Sequence, residues 1–106
     1  MPQAICTMYT GNVPRNLLVN RNAPPFDNPE LRRAMSLSID HQTFIDILSE
    51  GKGDNGGVMQ PPPSGLWGMP AEMLRTLPGY DPEIAKNRAE ARRIMEKLSY
   101  GPEKRL

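Results

Sequence analysis

The chain has 106 residues, enough for one domain at most, and its formal charge of +1 excludes the strongly basic face that a nucleic-acid binder needs. Hydrophobic residues make up 38%, low for a self-sufficient core, and twelve prolines, about twice ordinary usage, commit much of the length to loops. A single cysteine, Cys6, excludes an internal disulfide or a cysteine-based metal site and reads as a buried free thiol.

Residues 4–10 alternate as a strand does, with Ile5, Thr7 and Tyr9 on one face and Cys6 and Met8 on the other. Gly11 to Pro14 has turn chemistry, and Arg15 to Asn20 reads as the return strand. Leu17, Leu18 and Val19 form a continuous apolar run, the pattern of a strand buried on both faces. Residues 4–20 are therefore expected to form a short β-hairpin. Two strands alone are marginal, and the chain offers no third convincing strand, so this pair expects neighbours it does not itself supply.

Pro24 and Pro25 stiffen the next turn, and Phe26 is a candidate core plug. Asn28 then reads as an N-cap, Pro29 as the first helical residue and Glu30 as a first-turn acid. Leu31, Ala34, Met35 and Ile39 share a stripe, while Arg32 and Arg33 fall off it and are expected in solvent. Asp40 caps a second helix, with His41, Gln42 and Thr43 in its first turn, Phe44, Ile45 and Leu48 as its apolar face and Gly51 as its stop. Residues 29–50 thus form a bent helix pair.

Residues 51–79 are a Gly/Pro-rich connector. Its opening glycines do not make a phosphate loop, because Lys52 precedes most of them and prolines follow. Pro61 to Pro63 is a polyproline-like surface connector or a ligand for a Pro-recognition domain. Trp67, between glycines, anchors the loop, lines a ligand surface or meets a second chain. Pro70 to Leu77 is expected as a short helix with Met73, Leu74 and Leu77 inward. The terminal helix, 81–99, is capped by Asp81, opened by Pro82 and stopped by Gly101-Pro102. Its stripe is Ile84, Ala91, Met95 and Leu98, with Arg88 in line and Ala85 and Ile94 widening it. Lys86–Glu90, Glu90–Arg93 and Arg92–Glu96 are spaced as surface ion pairs. Interleaved glutamates make the arginines at 88, 92 and 93 a solvated face rather than a nucleic-acid contact. Glu103 to Leu106 reads as the beginning of a strand.

No catalytic residues are assigned. His41 is the only histidine and sits in a helix's first turn, where the positive dipole disfavours an imidazolium, so it reads as a surface or satisfied side chain. Asp40 beside it does not share its helix face. No histidine–carboxylate cluster has metal-ligand spacing, and Met35, Met73 and Met95 read as core fill. No metal and no cofactor is expected. No segment approaches the ~20 apolar residues that span a bilayer, and Met1 to Ala4 lacks the charged and apolar regions of a signal peptide.

Two blocks of the sequence are alike in kind to one family. Asn20, Pro24, Pro25, Phe26, Asp27, Leu31, Arg32, Ala34, Ile39 and Asp40 form the first, and Tyr80-Asp81-Pro82-Glu83-x-Ala85 the second. In this order and spacing they resemble the family 5 extracellular solute-binding proteins, the dipeptide/oligopeptide-binding receptors of bacterial ABC transporters. Ser36 and Ser38 stand where alanine is common in that family. The resemblance covers residues 15–101. It implies a parent with a two-lobed α/β fold of the type II periplasmic-binding-protein kind, to whose C-terminal lobe this chain contributes an internal piece. As a fragment the chain is then mainly α with a short β-hairpin (α+β), a single partial domain spanning 1–106. The implied partners are a peptide or similar small solute and ABC permease subunits, and the implied location is periplasmic or extracytoplasmic. The ligand-binding residues are unknown from the sequence. With its strands and helix faces uncovered, the isolated chain is expected to self-associate. The alternative reading is a stand-alone small helical protein-interaction module.

Overall fold

The computed structural model describes residues 3–5, 7, 15–57 and 68–106. Within them the chain forms four helices, α1 (Pro29–Ser38), α2 (His41–Ser49), α3 (Ala71–Leu74) and α4 (Ile84–Lys97). Asn28 starts α1 from an extended backbone, its side chain accepting the Glu30 N–H at 2.9 Å. The turn before it is closed by Phe26 N–H to the Ala23 carbonyl at 2.8 Å, across a cis Pro24–Pro25 peptide. Arg32, expected in solvent, is half-buried instead. Its guanidinium donates to the carbonyls of Phe26 at 2.7 Å and Asp27 at 2.9 Å, tying the turn to the first turn of α1.

α4 runs antiparallel to α1. Lys97 Nζ meets the Glu30 carboxylate at 2.8 Å at one end, and Arg88 Nε donates to the Ser38 carbonyl at 3.4 Å at the other. Between them lies the core of Ala34, Leu37, Ala91 and Ile94, edged by Met95 and Leu98. An alanine on each helix lets the backbones approach closely, so the larger Leu37 and Ile94 fill the remaining space. Leu31 is the most deeply buried large side chain, at 1% exposure. α1 and α4 are the described helices that pack on one another.

Asp40 caps α2 with both oxygens, Oδ1 accepting from Thr43 N–H at 3.0 Å and Oδ2 from Thr43 Oγ1 at 2.8 Å. The helix stops where expected, with Glu50 as its C-cap in the left-handed region at φ 53° and Gly51 following at φ 73°. α2 buries none of its residues fully. α3 is a single turn that buries Leu74 but leaves Met73 56% exposed, so Met73 is not core fill. After it the chain turns back over α1, where Ser36 Oγ donates to the Pro78 carbonyl at 3.1 Å and Gly79 lies against the Ser36 carbonyl.

Several expectations are corrected. The β-hairpin is not seen: described residues 3–5, 7 and 15–20 carry no strand, and 6 and 8–14 lie outside the described residues. Leu17 and Leu18 are 69% and 90% exposed. A run shaped for burial on both faces gains nothing from pairing when no neighbouring strand covers it. In α1, Leu37 rather than Met35 or Ile39 is fully buried. α4 begins at Ile84, later than expected, because Asp81 uses its carboxylate on the Glu83 N–H at 3.0 Å and Pro82 to Glu83 remain outside the helix. On α4 the inward polar residue is Asn87; Arg88 and Ala85 are exposed. Lys86 pairs with Glu83 at 3.4 Å rather than Glu90, whereas Arg93 does pair with Glu90 at 3.0 Å. The last residues form a tight turn, with Gly101 and Lys104 exchanging backbone hydrogen bonds at 3.0 and 3.2 Å.

Candidate functional site

The polar junction where α1 passes into α2 and meets the start of α4 holds the least expected chemistry. Ile39 and Asp40 turn the chain out of α1, which places His41 in the first turn of α2. Pro78 and Gly79 deliver Tyr80 to the same place, its N–H bonded to the Leu77 carbonyl at 3.1 Å. The two rings stack with centroids 4.4 Å apart and planes 13° from parallel. His41 Nε2 is buried without a hydrogen-bond partner among the described residues. Desolvation pushes the His41 imidazole below its ordinary pKa, partly offset by the Asp40 carboxylate. Asp40 is itself held below the ordinary carboxylate value, first by the Thr43 N–H and then by its hydroxyl. Asn87, 6% exposed, lies in the first turns of α4 with Nδ2 unpartnered. A neutral, desolvated imidazole can order a water or hold a helix in place, and the buried Asn87 amide can do the same within α4, but no activated nucleophile or oriented base is found with either.

A second feature is a shallow cleft of about 200 Å³ at the start of α1, lined by Pro25, Asp27, Asn28, Leu31, Leu98 and Tyr100. Pockets that enclose small ligands run to ~300–1,000 Å³. This one is open and smaller, so it does not by itself enclose a peptide. The third is an uncovered apolar face on α2, where Phe44, Ile47 and Leu48 are all more than half exposed. Their i, i+3, i+4 spacing puts them on one side of the helix.

The structure does not gather the residues singled out in the sequence into one site. Cys6, Pro61 to Pro63 and Trp67 lie outside the described residues. His41 is half-buried, and its Nε2 is unsatisfied among the described residues. Asn87 was detectable, since it stands four and seven positions before Ala91 and Ile94 on the buried stripe. Tyr80 as a partner of His41 had no local signal, because the contact joins segments far apart in the chain. Among the described residues no three His, Cys, Asp or Glu side chains are placed to hold a metal ion, and no helix is long and apolar enough to cross a membrane.

Compared with known proteins, residues 7–104 match the family described as bacterial extracellular solute-binding proteins, family 5 Middle. No curated protein and no solved structure matches.

Proposed function

The chain belongs to the bacterial extracellular solute-binding proteins of family 5, and on that premise we propose that it is an internal piece of the C-terminal lobe of a receptor that captures peptides or similar small solutes. Members of this family bind solutes outside the cytoplasmic membrane for ABC import. The observation that carries the reading is the match itself, which runs through nearly the whole chain, residues 7–104, rather than through one short motif. Residues 1–106 act as one partial domain of the receptor, in which the α1–α4 pair is the packed unit.

The uncovered surfaces support a partial domain. Leu17 and Leu18 are exposed in a segment without regular structure, and Phe44, Ile47 and Leu48 are exposed on α2. Apolar faces of this kind drive association when nothing covers them. The isolated chain therefore self-associates. Sedimentation equilibrium on the wild-type chain and on Phe44→Asp/Ile47→Glu tests this; a stable wild-type monomer at micromolar concentration would refute it.

The receptor reading is tested first by the reading frame. A start codon and a stop codon at the two ends of this chain would sink it and favour a stand-alone interaction module that uses the same α2 face. Thermal shift of the complete receptor against peptide and sugar pools then tests the solute class. A ligand at one hundred times its Kd stabilises by about 2.7 kcal/mol, and stabilisation by sugars alone would overturn peptide capture.

A further inference from the structure

We propose that the His41–Tyr80 stack is an acid-sensitive latch, which holds the first turn of α2 to the segment leading into α4 while the imidazole is neutral and releases it when the imidazole takes a proton. The geometry carries the inference. The rings lie nearly parallel at a centroid distance of 4.4 Å, so the contact joins α2 to the body formed by α1 and α4. α2 itself buries no residue fully and packs face-on with no other described helix, so its placement depends on contacts at its first turn.

An imidazolium carries N–H on both nitrogens. Here one of them, on Nε2, would be buried with no acceptor among the described residues. The position is also the start of a helix, where the backbone dipole opposes positive charge. The groups facing the ring do not reverse this. On its own element, Asp40 attracts a proton on His41, but both its oxygens are already bonded to Thr43. From the segment before α4 comes the uncharged Tyr80 ring, whose face gives a protonated partner some cation–π attraction, with Asp81 next to it in the chain. From α4, Arg88 reaches the Ser38 carbonyl and adds positive charge near Asp40. The last turn of α1, Met35 to Ser38, has no charged side chain. Burial is the largest influence and pushes the imidazole below its ordinary value of 6.5. The unfolded or released state therefore binds the proton more readily. The latch is at full strength above about pH 6.5, weakens as pH falls below it, and is weakest below the lowered value of the folded state.

Because His41 is the only histidine, its ring proton reports the event without overlap. NMR titration is followed together with amide protection factors across pH 4.5–8. His41 in the wild-type chain is expected to titrate below 6.5 and, in Tyr80→Leu, to move up towards it. Protection in α2 is expected to fall through the same interval while protection in α1 and α4 stays constant. His41→Phe keeps a ring on Tyr80 but takes no proton, and is expected to abolish the step. A wild-type midpoint at or above 6.5, an unchanged midpoint in Tyr80→Leu, or an α2 step that survives in His41→Phe would each overturn the latch.

Discussion

Replacing Gly79 by alanine tests how tightly the 78–79 turn is pressed onto α1. Gly79 has φ +86°, and a Cβ there would lie 2.4 Å from the Ser36 carbonyl oxygen and 2.9 Å from its carbon. Two costs add. The left-handed backbone disfavours a side chain by about 1–2 kcal/mol. The steric cost is that of forcing atoms into a packed contact, about 1–3 kcal/mol. It sits at the upper part of that range because the obstacle is helix backbone, which cannot rotate aside. Gly51 separates the two: it has φ +73°, but its nearest atom, Asp46 Oδ1, is 3.6 Å away, so Gly51→Ala bears only the backbone cost. Gly79→Ala should therefore lose about 3–5 kcal/mol and Gly51→Ala about 1–2. In thermal melts followed by circular dichroism, each kcal/mol moves the midpoint of a domain this size by about 4–8 °C. Ser36→Ala is the control, since it removes the hydroxyl bond to Pro78 but leaves the carbonyl, at about 0.5–1.5 kcal/mol. Equal melting temperatures for the two alanine variants would show that the turn yields freely and that the close approach to Ser36 carries no energy.

Leu31→Ala empties the most buried large side chain and should cost about 2–5 kcal/mol in urea denaturation, with an unchanged dependence on denaturant. Asn28→Ala removes the cap of α1 and should cost about 1 kcal/mol by the same assay, whereas Asn28→Asp, also a good cap, should stay near wild type. Asp40 gives a pH signature of the opposite sense to a desolvated carboxylate: its folded value is depressed, so its capping contribution is present above the ordinary 3.8 and is lost as pH falls through the lower folded value. Amide signals of α2 should therefore show an acid step below pH 3.8 that Asp40→Asn lacks, distinct from the step assigned to His41.

Local grammar was the legible part of this fold. The caps at Asn28 and Asp40 are visible in the sequence because a capping side chain bonds a backbone N–H two or three residues away, so the whole interaction fits in one short window. The start of α4 shows how near-neighbour competition blurs the same rule: Asp81 does bond an N–H, but two residues on, in a turn that delays the helix to Ile84. Arg32 departs from its expected place because helical periodicity puts it off the apolar stripe, while its length lets it turn back to the carbonyls of Phe26 and Asp27. The strand pair failed for a different reason. Leu17 and Leu18 carry a pattern whose meaning depends on surfaces outside the chain, and pattern alone does not supply them. The stack of His41 on Tyr80 belongs to tertiary geometry and has no expression in either local segment.

The antiparallel α1–α4 pair has a consequence for how the protein is made. Its two ends are joined by contacts between residues 50 and 67 positions apart. A ribosome adds about 5–20 residues each second, so α1 is complete for roughly 3–12 s before its partner is. During that interval Ala34 and Leu37 have none of the α4 surface that later covers them. The nascent chain therefore presents a sticky helix for that interval, and a chaperone that shields such a segment would hold α1 until α4 arrives.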